Sequence, residues 1–187
     1  MAHTSVVGIE DESSESPTEE QLYEVVDGQP VELAPMSAYA VWIATVLARQ
    51  LGLVTEQHHL GWTVQEMLFD LGPAVRQKRR PDVAFVASTR WPRAQRIPRT
   101  EAWTVVPTLA VEVVSPTDRF DDVVAKVAEY FQAGVEQVWV VVPSQEQVHV
   151  YTAPTALRIL TRADTLYGEP AIPPFRYPLT ELFGERP

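Results

Sequence analysis

Cysteine is absent from the 187 residues, which removes disulfides, thiolate zinc sites and cysteine nucleophiles together. Histidine is nearly as scarce, at four residues, so oxygen atoms are the expected ligands of any metal. The adjacent pair His58-His59 lacks the helical spacing of a shared metal site and reads as a loop or strand edge. There is no glycine-rich phosphate loop and no Gly-x-Ser-x-Gly elbow, which leaves nucleotide binding and serine hydrolysis without support. No stretch reads as the roughly 20 uncharged apolar residues that span a bilayer, and the start MAHTSVVGIEDESSE has no basic region followed by an apolar run. A cytoplasmic location is the expectation. Lysine is the last scarcity, with two lysines against thirteen arginines.

What is present suits one globular unit. Hydrophobic residues make up 45% and charged residues 21%, enough apolar surface to offset the entropy of ordering. Residues 1–15 are expected to form a flexible acidic arm and residues 16–187 a single domain. The net charge of −10 is uneven, because residues 1 to 20 carry six acids and no base, which leaves −4 for the remainder. Residues 76 to 99 hold eight of the fifteen bases against the single acid Asp82, a local charge of +7. Screening over roughly 8 to 10 Å lets a polyanion respond to that patch more than to the distant arm, and Arg79, Arg80, Arg90, Arg93 and Arg96 are the candidate nucleic-acid contacts. A solvated basic face or an acidic protein partner would explain the patch equally.

The local patterns describe an α/β chain. Ser16-Pro17-Thr18-Glu19 is a capping box for a short helix. Tyr23 to Val26, Asp27-Gly28 and Val31 to Leu33 read as a β-hairpin on a tight turn. Ser37 caps a helix that should stop at Gly52. Leu53 to Leu71 alternates imperfectly and suggests one or two strands. Val83 to Val86 and Leu109 to Val114 are nearly continuous apolar runs, as expected of central strands covered on both faces. A helix follows over about Asp121 to Ala133, then a strand at Val138 to Val142, which makes a crossover unit. Val148 to Tyr151 and Leu157 to Leu160 form an edge hairpin, and Leu179 to Phe183 a closing helix.

Three polar residues interrupt these elements. Glu112 lies inside a strand whose faces should both be apolar, where an isolated carboxylate would take up a proton unless a cation or strong donors stood beside it. Asp82 follows Arg80-Pro81 and opens a strand; alone it is an ordinary turn residue. Two ionised carboxylates about 4 Å apart repel by on the order of 4 kcal/mol at an effective dielectric of 20, and a divalent cation reverses the sign. Mg2+ or Mn2+ is therefore the expected cofactor, held by Asp82 and Glu112. Lys126 stands mid-helix, where its ammonium could attend a scissile phosphate. Its position four residues after Asp122 would also fit a plain surface pair. Of the tryptophans, Trp42, Trp62 and Trp139 are assigned to core or interface, and Trp91 and Trp103 are the candidates for base stacking.

Pro81-Asp82, Glu112-Val113-Val114 and Lys126 resemble the PD-(D/E)XK nuclease signature, with Val114 where its lysine usually stands and Lys126 as the relocated lysine. A closer resemblance is to the Uma-type family of restriction endonucleases. It rests on Tyr23-Glu24-Val25-Val26-Asp27-Gly28, Arg80-Pro81-Asp82-Val83-Ala84-Phe85-Val86, Glu112-Val113-Val114-Ser115-Pro116-Thr117-Asp118, Asp122, Lys126, Tyr130, Gly134-Val135 and Trp139. The chain departs from that pattern at Ala40, where a histidine is usual, and at Val142-Pro143, where Asp-Pro is usual. The resemblance implies a restriction-endonuclease-like core, metal dependence and DNA as substrate, with Asp82, Glu112 and Lys126 catalytic and Glu24 a possible supporting acid. A homodimer would supply the two centres that cutting both strands needs. The competing readings are a silent nucleic-acid-binding or protein-interaction module on the same fold, and a metal phosphoesterase for small substrates.

Overall fold

The computed structural model describes residues 21–116 and 118–184; the acidic arm and the capping box at Ser16 lie outside them. The elements in chain order are β1 (Tyr23–Val26), β2 (Gln29–Glu32), α1 (Ala38–Gln57), β3 (Gly61–Gln65), β4 (Phe69–Asp70), β5 (Lys78–Arg79), β6 (Val83–Ala87) and β7 (Leu109–Val113). They continue with α2 (Phe120–Ala133), β8 (Gln137–Val142), β9 (Gln147–Ala153), β10 (Ala156–Thr161), β11 (Thr165–Tyr167), β12 (Arg176–Pro178) and α3 (Leu179–Leu182). A six-stranded sheet of order β10-β9-β8-β7-β6-β3 forms the centre, and β2-β1-β5-β4 form a second sheet. Pairing is antiparallel except between β7 and β8, which the α2 crossover joins in parallel. This is the mixed α/β architecture expected.

Alternation along β7 decides what faces what. Leu109, Val111 and Val113 belong to the core cluster shared with α1, whereas Ala110 packs in the cluster shared with α2. Glu112, on the Ala110 side, is thereby aimed at α2. In α2, Val127 and Tyr130 are the buried residues, and Gly134 closes the helix at φ 100°, a left-handed cap that a side chain would strain. The β1–β2 turn is built as the Asp-Gly pair requires, with positive φ at both Asp27 and Gly28.

Two expectations need correcting. The first helix runs through Gly52 to Gln57, so residues 53–57 are helical and only β3 and β4 supply strands in the ambiguous stretch. An interior glycine costs about 1 kcal/mol relative to alanine, and burial of Leu51 and Thr55 on the same helix offsets it. By length and composition α1 is also apolar enough to cross a membrane, with mean hydropathy 1.3 over its best stretch. It includes Arg49 and Glu56 and packs on β3, β6 and β7 as a core helix.

Candidate active site

Strand register brings the two acids together. In the antiparallel β6–β7 ladder Val83 lies opposite Val111, and one further step sets Asp82 opposite Glu112 on the same sheet face. Such cross-strand positions carry Cβ atoms roughly 4.5–5.5 Å apart. The Val113 backbone N–H donates to Asp82 Oδ2 at 2.5 Å, which turns the Asp82 carboxylate toward β7. Pro81 ends the approach, and Glu24 Oε1 accepts from the Arg80 backbone N–H at 2.9 Å.

Helix α2 delivers two donors to Glu112 from successive turns. The Tyr130 hydroxyl donates to Oε1 at 2.6 Å, and the Lys126 ammonium reaches Oε2 at 3.5 Å. Lys126 also pairs with Glu24 Oε1 at 3.1 Å. Its partners are thus Glu112 and Glu24, and the surface pair with Asp122 is not formed among the described residues.

Behind this stands a buried clamp. Arg79 donates through one terminal nitrogen to Glu24 at 2.7 Å, and through Nε and the other terminal nitrogen to Glu129 at 2.6 and 2.9 Å. The clamp ties the hairpin sheet to α2 and fixes the carboxylate that holds Lys126.

The electrostatics follow from burial. Asp82 has its proton affinity pushed up to about 8, first by burial and then by the Glu112 charge, against the opposing pull of Val113 N–H and Lys126. Glu112 is raised as well, again chiefly by burial, with Lys126 and Tyr130 opposing and Glu24 adding to the rise. Burial works against the Lys126 ammonium, but Glu112 and Glu24 outweigh it and keep the group protonated. Tyr130 is held well above its ordinary range by burial and by the Glu112 charge, so its hydroxyl remains a donor. Among the described residues the cations paired with or acting on the connected groups Glu24, Glu112, Glu129 and Asp82 are Arg79 and Lys126. Were all four ionised, four acids against two bases would leave this cluster two positive charges short, and the raised proton affinities of Asp82 and Glu112 are the response to that deficit and to burial.

Asp82, Glu112 and Lys126 line one cavity of about 590 Å3, together with Asp118, whose side chain accepts from the Ser115 backbone N–H at 2.7 Å. Asp82 and Glu112 are the natural oxygen donors for a cation here, since Asp82 Oδ1 takes no hydrogen bond among the described residues. No group of three or more His, Cys, Asp or Glu donors forms among those residues. A two-carboxylate site suits magnesium, which keeps several waters and leaves room for a phosphate oxygen.

The basic segment is divided by the fold. Arg79 has a side chain only 7% exposed, with its donors committed to two glutamates, so its expected role as a nucleic-acid contact is replaced by an internal one. Arg90 binds the carbonyls of Val106, Pro107 and Gly134 and the Glu136 carboxylate. Arg93 reaches the Gly61 carbonyl and lies over the Trp62 ring. Gly61 pairs with Ala87, at the opposite end of the β3–β6 ladder from Asp82, so Arg90 and Arg93 are removed from the acids. Arg96 is exposed in the loop that follows them. Only Arg80 of the five lines the cavity; it donates to the Tyr23 and Glu66 carbonyls and lies over the Tyr23 ring. Trp103 is 1% exposed and stacks on Phe69, and Trp91 sets its edge on Trp103; both are packing residues rather than stacking platforms for bases.

The sequence profile of the family Uma2, described as "Putative restriction endonuclease", matches residues 11–180. The chain belongs to the Uma2 family. A crystal structure from Anabaena variabilis ATCC 29413, titled a "putative nuclease belonging to DUF820", superposes with a TM-score of 0.77. Identity is 15%, with 90% of this chain and 93% of that chain covered, and the likeness establishes a shared fold. None of the curated proteins matches. Membership of Uma2 agrees with the motif resemblance drawn from Pro81-Asp82, Glu112 and Lys126. It adds no assignment for Glu129, which the motifs did not single out. Nothing in an amphipathic helix distinguishes a glutamate that grips a buried arginine from one that faces water. Tyr130 had a signal, since it lies four residues after Lys126 on one helical face.

Proposed function

We propose that this protein is a divalent-metal-dependent nuclease that hydrolyses phosphodiester bonds of nucleic acid, with DNA as the expected substrate. The observation that carries the reading is the juxtaposition of Asp82 and Glu112 at the cavity, where ionising both calls for a cation beyond Lys126. Two acids with raised proton affinities, placed opposite each other on adjacent strands, are suited to a Mg2+ or Mn2+ ion, and Asp82 and Glu112 would hold it. When bound, the ion supplies Lewis-acid chemistry for phosphodiester hydrolysis.

The chain's own groups contribute the rest. Asp82 and Glu112 would hold the cation, and Tyr130 keeps the Glu112 carboxylate in place through its hydroxyl. Lys126, protonated and aimed into the cavity, stabilises negative charge that develops on the phosphoryl oxygens; such preorganised charge is often the largest single contribution to rate. Glu24 and Arg79 position Lys126 without touching the substrate.

The test is cleavage of labelled oligonucleotides by the full chain with Mg2+ or Mn2+, against the same reaction with a chelator. Cleavage should require the metal and should be lost in Asp82→Asn and Glu112→Gln while circular dichroism shows both variants folded. Metal-independent cleavage, or undiminished activity in either variant, would remove the proposal.

A further inference from the structure

We infer that the site takes an unstacked nucleotide, so that the preferred substrate is single-stranded nucleic acid or an extrahelical base in a duplex; this rests on the nuclease reading above. The cavity that holds Asp82, Glu112 and Lys126 has a second wall of a different chemistry. Leu22, Leu33, Pro35, Met36 and Val41, from the hairpin, the loop after it and the start of α1, line the same cavity as the acids. Leu22 is 40% and Val41 46% exposed, so apolar surface is left wet within reach of the reacting centre. A phosphate backbone offers nothing to such a wall. The flat face of a base does, once it is freed from its stack.

Charge leads to the same conclusion. A duplex tracked along its backbone is held by many Lys and Arg contacts, each releasing counterions. Here the cavity is lined by the acids Glu32, Glu66, Asp82, Glu112, Asp118 and Asp122 against the bases Arg80, Arg119 and Lys126 alone. Lys126 is committed to Glu24 and Glu112, and Arg80 to two backbone carbonyls. Arg119, at the start of α2 with no side-chain capping bond, is exposed and has no ion pair among the described residues. Arg90 and Arg93, two of the candidate nucleic-acid contacts, lie at the far end of the sheet. One or two phosphates beside the metal and one base against the apolar wall account for this lining; a long backbone track does not. A single strand also requires one centre per cut, so no second copy of the chain is needed to complete the site.

The experiment measures binding of the full chain, with Ca2+ in place of Mg2+, to a fluorescein-labelled single strand, to the blunt duplex of the same sequence, and to that duplex with one unpaired base. The single strand should bind at least about tenfold more tightly than the blunt duplex, and the unpaired base should recover most of the difference, since it lowers the unstacking cost. The log-log salt dependence should be shallow, with a slope no steeper than about −2 at roughly −0.7 per phosphate contacted on a single strand. The double variant Leu22→Ser, Val41→Ser changes exposed positions only and should weaken single-strand binding about tenfold. Equal or tighter binding of the blunt duplex, or an unaltered affinity in the double variant, would overturn the inference. Binding to none of the three would overturn it together with the nuclease reading. A single-strand preference without any cleavage in Mg2+ or Mn2+ would leave the inference standing and sink the nuclease reading alone.

Discussion

The Tyr130 hydroxyl donates to Glu112 Oε1 at 2.6 Å from the turn of α2 that follows Lys126. One helix thus occupies both oxygens of a buried strand carboxylate, one with a neutral donor and one with a cation. Removing the hydroxyl leaves the carboxylate held by Lys126 alone. Tyr130→Phe is expected to lower metal affinity by about 10- to 100-fold, the usual loss when a ligand's outer partner is removed. Titration calorimetry with Mn2+ reads it directly, and cleavage should largely return at saturating metal. Unchanged affinity would show that Tyr130 only packs.

Lys126 is expected to act on the reaction rather than on the metal. Lys126→Ala should retain Mn2+ binding and lose most turnover, because the lost interaction is with charge present only in the transition state. Arginine should rescue poorly at this position, being planar and bulkier. A variant that cleaves at the parent rate would reduce Lys126 to a partner of Glu24.

Asp82 gives the metal-free protein a pH signature. Its carboxyl titrates near 8 when folded, with Glu112, Lys126 and Asp118 facing it, and near about 3.9 when unfolded. Below about pH 4 both states hold the proton; between there and about 8 only the folded state does. Stability without metal should therefore fall as pH rises through that window. Urea midpoints at several pH values check this, and Asp82→Asn, which keeps an acceptor for Val113 N–H, should flatten the slope. Metal affinity should run the other way, rising by up to about tenfold per pH unit until Asp82 is ionised.

Arg79 should report on stability. Replacing it with methionine takes the guanidinium from Glu129 and from Glu24, whose side chain is 3% exposed and which keeps Lys126 and the Arg80 N–H; breaking a buried pair in this way costs up to about 3–5 kcal/mol. Chemical denaturation measures the loss. A change within experimental error would mean that Lys126 alone satisfies Glu24 or that the carboxylate takes up a proton.

Arg90 and Arg93 supply the contrast. Their bonds are to carbonyls and to Glu136 at the sheet end away from Asp82. Arg93→Ala should leave nucleic-acid affinity unchanged, whereas Arg119→Ala should weaken it. Fluorescence anisotropy at two salt concentrations distinguishes them, and the reverse ranking would put the binding surface at the other end of the sheet.

Much of this site was legible because its chemistry conflicts with its surroundings. A glutamate in the run Leu109 to Val114 and one of two lysines in mid-helix stand out against apolar neighbours. Asp-Gly at 27 and 28 and Gly134 likewise announced their turns through the backbone angles they permit. The arginines were misread because charge density along a chain says nothing of burial. Arg79 and Arg80 are neighbours in sequence, yet alternation in and beyond β5 sends one into the interior and leaves the other at the cavity. Gly52 misled because local propensity is weak beside the burial of a long helix. Trp103 looked like a platform only because it flanks the arginine-rich segment in sequence.

The connection between β6 and β7, residues 88–108, starts and ends at the sheet edge remote from Asp82 and Glu112. Those two acids are thirty residues apart in the chain yet neighbours in one ladder. Their encounter is set by hydrogen-bond register and is indifferent to the length of the excursion between them. Around Arg96 and Arg99 that excursion is exposed, which makes it the natural port for inserting a fused domain or an affinity tag while leaving the geometry of the acid pair as it is.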